Sequence, residues 1–172
     1  EFNQIGIEKN IKTISDTRIN QIINRSKANP KNLFNEEILN STNIIFGSVD
    51  KSDIEVIVRS MADVYPKKNV DLKKEKHRVI IVPHECDDQS VKEVVYPLKD
   101  SGFSFTFFKP QMDLNNCEII IVNKTGLLAD LYYCSSIAYV GGGFEKGVHN
   151  VIEPLIYYNK VCFGPNISLL DE

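Results

Sequence analysis

The residues with the clearest chemical potential lie in the segment GGGFEKGVHN, residues 141–150. Three glycines follow the apolar run 137–140, and a His-Asn pair and Glu153 come soon after them. Glycine allows positive φ and lets a ligand approach the main chain, while amide groups at a helix start carry partial positive charge. A strand, a glycine loop and a helix start together are typical of a phosphate site. The alternative interpretation of the glycines is a tight turn without a ligand.

The residues after the glycines combine a helix start with possible ligand groups. Pro154 lacks an amide N–H and is tolerated only near the first turn, so we predict a helix that begins close to Asn150. Asn150 and Glu153 have the N-x-x-E spacing of a capping box, which is their structural interpretation. The functional interpretation is that Glu153 accepts hydrogen bonds from two ribose hydroxyls, because a carboxylate beside a phosphate would be repelled. His149 would donate to a phosphate or sugar oxygen, although a lone histidine is more often structural.

Small or polar residues follow other predicted strands as well. Ser48, His84 and Thr125 each come shortly after an apolar run. In an open parallel sheet, ligands bind beyond the carboxyl ends of the strands, so we expect these residues at one rim. A metal site made from His84, His149 and a carboxylate is an alternative that no ligand spacing supports.

Alternating strands and helices must position these residues. Apolar runs and helical spacing predict strands at 43–47, 78–83, 103–108, 118–122, 137–140 and 160–165, and helices at 53–65, 89–100, 126–134 and 151–159. The apolar face of the first of these helices consists of Ile54, Ile57, Val58, Met61, Val64 and Tyr65. Residues 12–23 predict a strand, a turn and a helix, and residues 26–37 predict a polar loop. This order predicts an α/β fold, a Rossmann-like parallel sheet with helices on both faces.

Composition limits the function classes. The 172 residues match about one domain, and a net charge of -3 argues against nucleic acid as the main partner. The lysine-rich stretch 67–78 predicts a solvated loop, with an anion or membrane-surface patch as the alternative. Four scattered cysteines predict reduced, buried thiols. No apolar run comes near the length of about 18 residues that a membrane span needs. The abrupt ends of the chain suggest a soluble fragment of a larger protein.

The segment YVGGGFEKGVHNVIEPLIYYNKVCFGP, residues 139–165, closely resembles the donor-site segment of 3-deoxy-D-manno-octulosonic acid (Kdo) transferases, the lipid A glycosyltransferases of Gram-negative bacteria. The variant is the one typical of Bacteroidetes-like sequences. Supporting segments occur in family order over nearly the whole chain: SDTRINQI (15–22), IIFGS (44–48), VIIVPHE (79–85) and IIIVNKTGLLADLY (119–132).

This resemblance implies one half of a GT-B glycosyltransferase. Residues 1–14 would end the N-terminal domain or form an interdomain segment, and residues 15–172 would be a C-terminal nucleotide-sugar-binding domain, truncated at its C-terminus. The donor would be CMP-Kdo and the acceptor a lipid A precursor, lipid IVA, with no metal or cofactor. The catalytic base and the membrane contact would belong to the N-terminal domain, at the cytoplasmic face of the inner membrane, so the fragment alone would be inactive.

The resemblance and the residues together give the candidate nucleotide-sugar contacts. They are Ser48, Pro83, His84, Thr125, Gly126, Leu127, Gly141, Gly142, Gly143, His149, Asn150, Val151, Ile152 and Glu153. Many relatives have arginine at position 84 and glutamate at position 127, and a neutral imidazole is a weaker phosphate partner than guanidinium. Two other functions stay open: a GT-B type UDP-sugar 2-epimerase or related nucleotide-sugar enzyme, and a non-catalytic nucleotide-binding module.

Overall fold

The protein is described by a computed structural model that covers residues 17–27, 38, 40–109 and 118–170. The strands are β1 (Thr42–Val49), β2 (His77–Pro83), β3 (Thr106–Phe107), β4 (Ile119–Ile121), β5 (Ile137–Val140) and β6 (Lys160–Phe163). The helices are α1 (Thr17–Lys27), α2 (Lys51–Val64), α3 (Asn69–Lys74), α4 (Asp88–Asp100), α5 (Leu128–Leu131) with the 3₁₀ turn Tyr132–Cys134, and α6 (Ile152–Leu155).

The six strands form one sheet in the order β3-β4-β2-β1-β5-β6, and every neighbouring pair is parallel. The predicted α/β class and parallel sheet are therefore confirmed. The chain builds the sheet from β1 toward β2 and β4, then crosses over to add β5 and β6 on the other side of β1. The strand order thus reverses between β1 and β5, which is where open α/β sheets bind ligands.

Two apolar clusters pack against the opposite faces of the sheet. On one face, Val79, Ile81, Ile119 and Ile121 contact the buried side chains of α2 and α4. On the other face, Ile45, Ile80, Ile120 and Ala138 pack with Leu131 and Tyr132. Successive β-strand side chains point to opposite faces, so a continuous β-branched run such as β4 fills both clusters. The prediction of helices on both faces is confirmed.

Helix α2 follows the predicted amphipathic pattern with one exception. Asp50 caps its start, and the apolar face from Ile54 to Met61, continued by Tyr65, is buried. Val64 shares the helical spacing of this face but is 66% exposed. Val64 is the last residue of the helix and lies at the margin of the apolar stripe, where a short extension no longer faces the sheet.

The lysine-rich stretch 67–78 is not a simple loop. It contains α3 and the first residues of β2, and Leu72 is completely buried beneath the lysines. The side chain of Asn69 also accepts from the amide of Ser104 and donates to its carbonyl, at 2.8 Å each. The buried Leu72 and the two hydrogen bonds of Asn69 hold this segment against the protein, although its charge predicts a solvated loop.

Other predicted elements are shorter than expected. The predicted strand 103–108 reduces to Thr106–Phe107 at the sheet edge, and the predicted helix 151–159 reduces to Ile152–Leu155. The helix ends because the Asn159 side chain donates to the Pro154 carbonyl at 3.0 Å and Tyr158 has a φ of 62°. The predicted helix near the start is present from Thr17, whereas residues 12–16 and 28–37 lie outside the described residues.

The described cysteines are free thiols in different environments. Cys86 and Cys134 are partly buried, whereas Cys162 on edge strand β6 is exposed. The prediction of buried thiols was therefore wrong for Cys162, and Cys117 lies outside the described residues. In the part of the chain that the structure describes, no helix is long and apolar enough to cross a membrane.

Candidate functional site

The candidate site lies at the carboxyl ends of β1 and β5, where the strand order reverses. Ser48, near the end of β1, has a φ of 53°, and the register between β1 and β2 shifts between Phe46 and Val49. A left-handed serine is uncommon, and such conformations persist where the surrounding structure holds them. The turn of β1 at Ser48 leads into the start of α2 and places that helix beside the glycines after β5.

The glycines after β5 are packed against the protein. The Gly141 amide donates to the Gly47 carbonyl at 2.8 Å, and the Gly142 amide donates to a carboxylate oxygen of Asp53 at 2.8 Å. A Cβ atom at Gly143 would lie 2.6 Å from the Gly164 nitrogen. Two amides predicted to hold a phosphate are thus used inside the protein, and the glycines are needed where segments approach closely.

Asp53 is a site residue that the sequence reasoning missed. Its side chain is completely buried and accepts from the Asp50 amide at 3.0 Å, the Gly142 amide at 2.8 Å and the Tyr139 hydroxyl at 2.6 Å. The D-x-x-D spacing of Asp50 and Asp53 is a sequence signal for the capping box at the start of α2. No local sequence signal indicates the bonds to Tyr139 and Gly142, which are far away along the chain.

The two predicted site histidines stack on each other. The rings of His84 and His149 lie 4.3 Å apart between centroids and are inclined by 10°. Burial lowers the pKa of His149 below its ordinary value, and the neighbouring His84 acts in the same direction. Nε2 of His149 is buried and has no hydrogen-bond partner among the described residues. The pair therefore contains one buried imidazole nitrogen without a partner in the described part of the chain, packed against Gly142.

A polar depression adjoins His84. It is lined by Val49, Asp50, Lys51, His84, Glu85, Ser90, Glu93 and Lys146. Oδ2 of Asp50 is also buried without a hydrogen-bond partner among the described residues. Pro83 ends β2 as a buried residue next to His84, and the His84 amide donates to the Val49 carbonyl at 2.8 Å. The ends of β1 and β2 thus form one wall of the site.

A second group of predicted residues surrounds the loop after β4. Thr125 is exposed, Leu127 is partly buried, and Gly126 has a φ of +80° in a position where a Cβ atom would meet open space. The Gly126 carbonyl accepts from Arg25 at 2.7 Å, and Arg25 also forms two 2.8 Å bonds to the carboxylate of Asp130. The sequence reasoning did not single out Arg25, which ties α1 to the predicted base-binding loop.

Glu153 lies close to this second group. It lines a small cavity together with Gln21, Ile22, Arg25, Ala129 and Tyr157. Its charge also raises the pKa of Tyr132, after the larger effect of burial. The Tyr132 hydroxyl packs against Gly47 near the end of β1. Glu153 thus lies beside the helix that follows the loop after β4.

Asn150 has the structural role that its spacing predicts. Its Oδ1 accepts from the amides of Ile152 at 2.9 Å and Glu153 at 3.3 Å. These two amides are therefore occupied, and α6 has only four residues, so its dipole is small. Val151 is buried in a small apolar cluster with Val140 and Val148, which leaves its main chain as the part able to contact a ligand.

The predicted residues thus form two groups on one rim of the sheet. The first surrounds the histidine pair, and the second surrounds Gly126 and Glu153. Within the described ranges no group of three or more His, Cys, Asp and Glu side chains is arranged to hold a metal ion. The rim offers imidazole, carboxylate, lysine and main-chain groups, which suit a polar ligand with both anionic and hydroxyl groups.

This fold is a Rossmann-like α/β domain with a six-stranded parallel sheet. No family model matches the chain. The chain is nevertheless a homologue of 3-deoxy-D-manno-octulosonic acid transferases. It is 31% identical over 171 residues to the transferase of Chlamydia muridarum, covering 96% of this chain and 37% of that protein.

Two further comparisons agree with this homology. The chain is 31% identical over 123 residues to the transferase of Aquifex aeolicus, covering 71% of this chain and 31% of the relative. Its fold matches the crystal structure of the C-terminal CMP-Kdo binding domain of WaaA from Acinetobacter baumannii with a TM-score of 0.58 and 16% identity, over 87% of this chain and 72% of that one. The chain spans about a third of the length of the curated relatives it matches.

Proposed function

We propose that this chain is the donor-binding part of a glycosyltransferase that transfers Kdo from CMP-Kdo to a lipid A precursor in lipopolysaccharide biosynthesis. The observation that carries the proposal is the similarity to Kdo transferases over 96% of the chain. The shared fold with a domain described as CMP-Kdo binding supports it. The finer assignment to a Bacteroidetes-like variant is part of the same proposal and rests on the segment 139–165.

In this proposal the nucleotide lies across both groups of site residues. The ribose hydroxyls bind Glu153, and the cytosine contacts main-chain groups of residues 125–127. The phosphate and the sugar lie toward the histidine pair. Because the amides of Gly141 and Gly142 are already bonded inside the protein, we assign the phosphate or sugar contact to Nε2 of His149 rather than to these amides.

The complete reaction needs more than these residues. We propose that the acceptor site, the catalytic base and the membrane contact at the cytoplasmic face of the inner membrane belong to a further domain. Residues 1–14 would then connect to that domain, and residues 15–172 would form the donor side. Hydrogen bonds to the departing CMP from this side would stabilise the charge that develops on it. The 172 residues alone would bind donor without transferring it.

The test is titration of the 172-residue chain with CMP by calorimetry and by chemical-shift mapping. We expect shifts at residues 125–127 and 149–153, and weaker binding in Glu153→Ala. Glu55→Ala is the matched control, because Glu55 is an exposed carboxylate on α2. Removing a charged hydrogen-bond partner costs about 1.5–3 kcal/mol, or roughly 10–150-fold in affinity.

The alternatives give different results in the same titration. Binding of UDP without binding of CMP would move the assignment to a UDP-sugar enzyme such as a 2-epimerase. A folded protein that binds neither nucleotide would contradict donor binding by this chain. Equal affinity of Glu153→Ala and wild type would remove Glu153 from the site while leaving the CMP assignment intact. Transfer of Kdo to a lipid A acceptor by the isolated chain would refute the assignment of the base to another domain.

A further inference from the structure

Asp53 connects three separate parts of the site through one buried carboxylate. Oδ2 accepts from the amides of Asp50 and Gly142, and Oδ1 accepts from the Tyr139 hydroxyl. These donors belong to the turn after β1, the glycine turn and strand β5. Only the bond with Asp50 belongs to the helix cap, so capping does not explain the other two.

The burial of this carboxylate requires all of these bonds. A buried carboxylate is costly unless hydrogen bonds replace the lost water, and here the donors are two amides and one hydroxyl at 2.6–3.0 Å. Burial, and next the bond to Asp53, raise the pKa of Tyr139, so its hydroxyl keeps the proton that it donates. The arrangement fixes the position of Gly142 relative to α2.

The position of Gly142 in turn determines where His149 lies. The Gly142 carbonyl accepts from the Gly147 amide at 2.9 Å, and the neighbouring Gly141 carbonyl accepts from the His149 amide at 3.2 Å. The imidazole packs against Gly142, since a Cβ there would lie 3.0 Å from Nε2. The ring also stacks on His84.

We propose that Asp53 is a positioning residue for the donor site, which holds the glycine turn and, through it, the imidazole of His149 in the orientation that receives the ligand. This inference rests on the proposed function for the identity of the ligand. Asp53 is completely buried and does not touch the ligand itself. Its effect is transmitted by Gly142, whose amide it holds.

The test compares Asp53→Ala, Asp53→Asn and Ile57→Ala for CMP affinity, thermal stability and NMR spectra. Asp53→Ala removes all three bonds, and we expect about tenfold weaker CMP binding because the residues share one hydrogen-bond network. We also expect shifted resonances of the Gly142 amide and the His149 ring. Ile57→Ala is the matched control: Ile57 is buried one turn further along α2, so its loss lowers stability without affecting CMP affinity.

Asp53→Asn distinguishes a positioning role of the side chain from an effect of its charge. It also keeps the inference testable if Asp53→Ala fails to fold. The amide oxygen of asparagine can replace Oδ2, and its nitrogen can donate to Tyr139 if the hydroxyl rotates to accept. We expect it to recover most of the affinity that Asp53→Ala loses, together with the wild-type resonances of Gly142 and His149. Asp53→Asn as weak as Asp53→Ala would overturn the inference, as would unchanged Gly142 and His149 resonances in Asp53→Ala.

The two proposals can fail separately. If the wild-type chain does not bind CMP, the proposed function fails, while the Gly142 and His149 resonances still decide whether Asp53 positions the turn. If the wild type binds CMP and Asp53→Ala binds it equally well, the positioning role fails and the proposed function stands.

Discussion

Gly143 offers a direct test of the close approach between the ends of β5 and β6. A Cβ atom at Gly143 would lie 2.6 Å from the nitrogen, 2.7 Å from Cα and 2.9 Å from the carbonyl carbon of Gly164. All three are main-chain atoms, so no side chain can rotate away to make room. In Gly143→Ala the two segments must therefore move apart by about 0.8 Å to reach the 3.4 Å of ordinary contact.

The cost of that movement can be estimated from its parts. Overpacking typically costs about 1–3 kcal/mol. The same movement strains the 2.8 Å bond from the Asn166 amide to the Gly143 carbonyl, a bond worth about 1 kcal/mol. We expect a loss of about 2–4 kcal/mol, which corresponds to a melting temperature lower by roughly 5–15 °C for a chain of this size.

Thermal unfolding of three single variants and one double variant measures this cost. Gly126→Ala is the contrasting variant, because Gly126 has a φ of +80° but open space around it, so only backbone strain of about 1–2 kcal/mol applies. Gly164→Ala creates the reciprocal overlap, and the double variant Gly143→Ala/Gly164→Ala should cost less than the sum of the singles because one separation serves both. A Gly143→Ala melting temperature equal to that of the wild type, or strict additivity in the double variant, would refute the reasoning.

Two further predictions concern ionisable groups. The pKa of His149 is lowered from 6.5, so on acidification the unfolded chain binds a proton before the folded protein does. The free energy of unfolding should therefore fall as the pH drops from 6.5 through the folded pKa. An NMR titration of the ring with a midpoint at or above 6.5 would contradict this. Burial raises the pKa of Cys134 to about 12, and burial also raises the pKa of the Cys162 thiol, although Cys162 as a residue is exposed. Maleimide labelling of the folded protein near neutral pH, followed by peptide mass spectrometry, should modify Cys162 at least about tenfold faster than Cys134, and comparable rates would contradict the lower reactivity expected of the Cys134 thiol.

The sheet could be predicted from the sequence because its central strands are strongly apolar and β-branched. The runs at 43–47, 78–83 and 137–140 each correspond to a central strand, and the helical spacing after the first run predicts α2. Prediction was poorer where a few tertiary contacts outweigh local composition. Leu72 is the one buried residue of a helix formed within the lysine-rich stretch, and Asn159 ends α6 after four residues. Neither contact has a local sequence signature.

The placement of the candidate residues at one rim of the sheet was predictable from the sequence, but their contacts with one another were not. The rule that ligands bind beyond parallel strand ends was sufficient to select Ser48, His84 and the glycine turn. It does not say that His84 and His149 stack, or that Arg25 binds the Gly126 carbonyl, because these contacts join residues far apart in the chain. Asp53 was not predicted for the same reason, because its spacing from Asp50 indicates only a helix cap.

The structural use of the glycine amides changes what a ligand must supply. With the Gly141 and Gly142 amides bonded inside the protein, the unsatisfied polar atoms at this rim include Nε2 of His149 and Oδ2 of Asp50. An unsatisfied buried polar atom costs about 1–3 kcal/mol, so a ligand that reached either atom would gain by satisfying it. Oδ2 of an ionised Asp50 needs a hydrogen-bond donor, and a protonated Nε2 needs an acceptor. Under the proposed function, hydroxyl groups of the sugar nucleotide would donate to Oδ2 of Asp50, which an anion without a hydroxyl could not do.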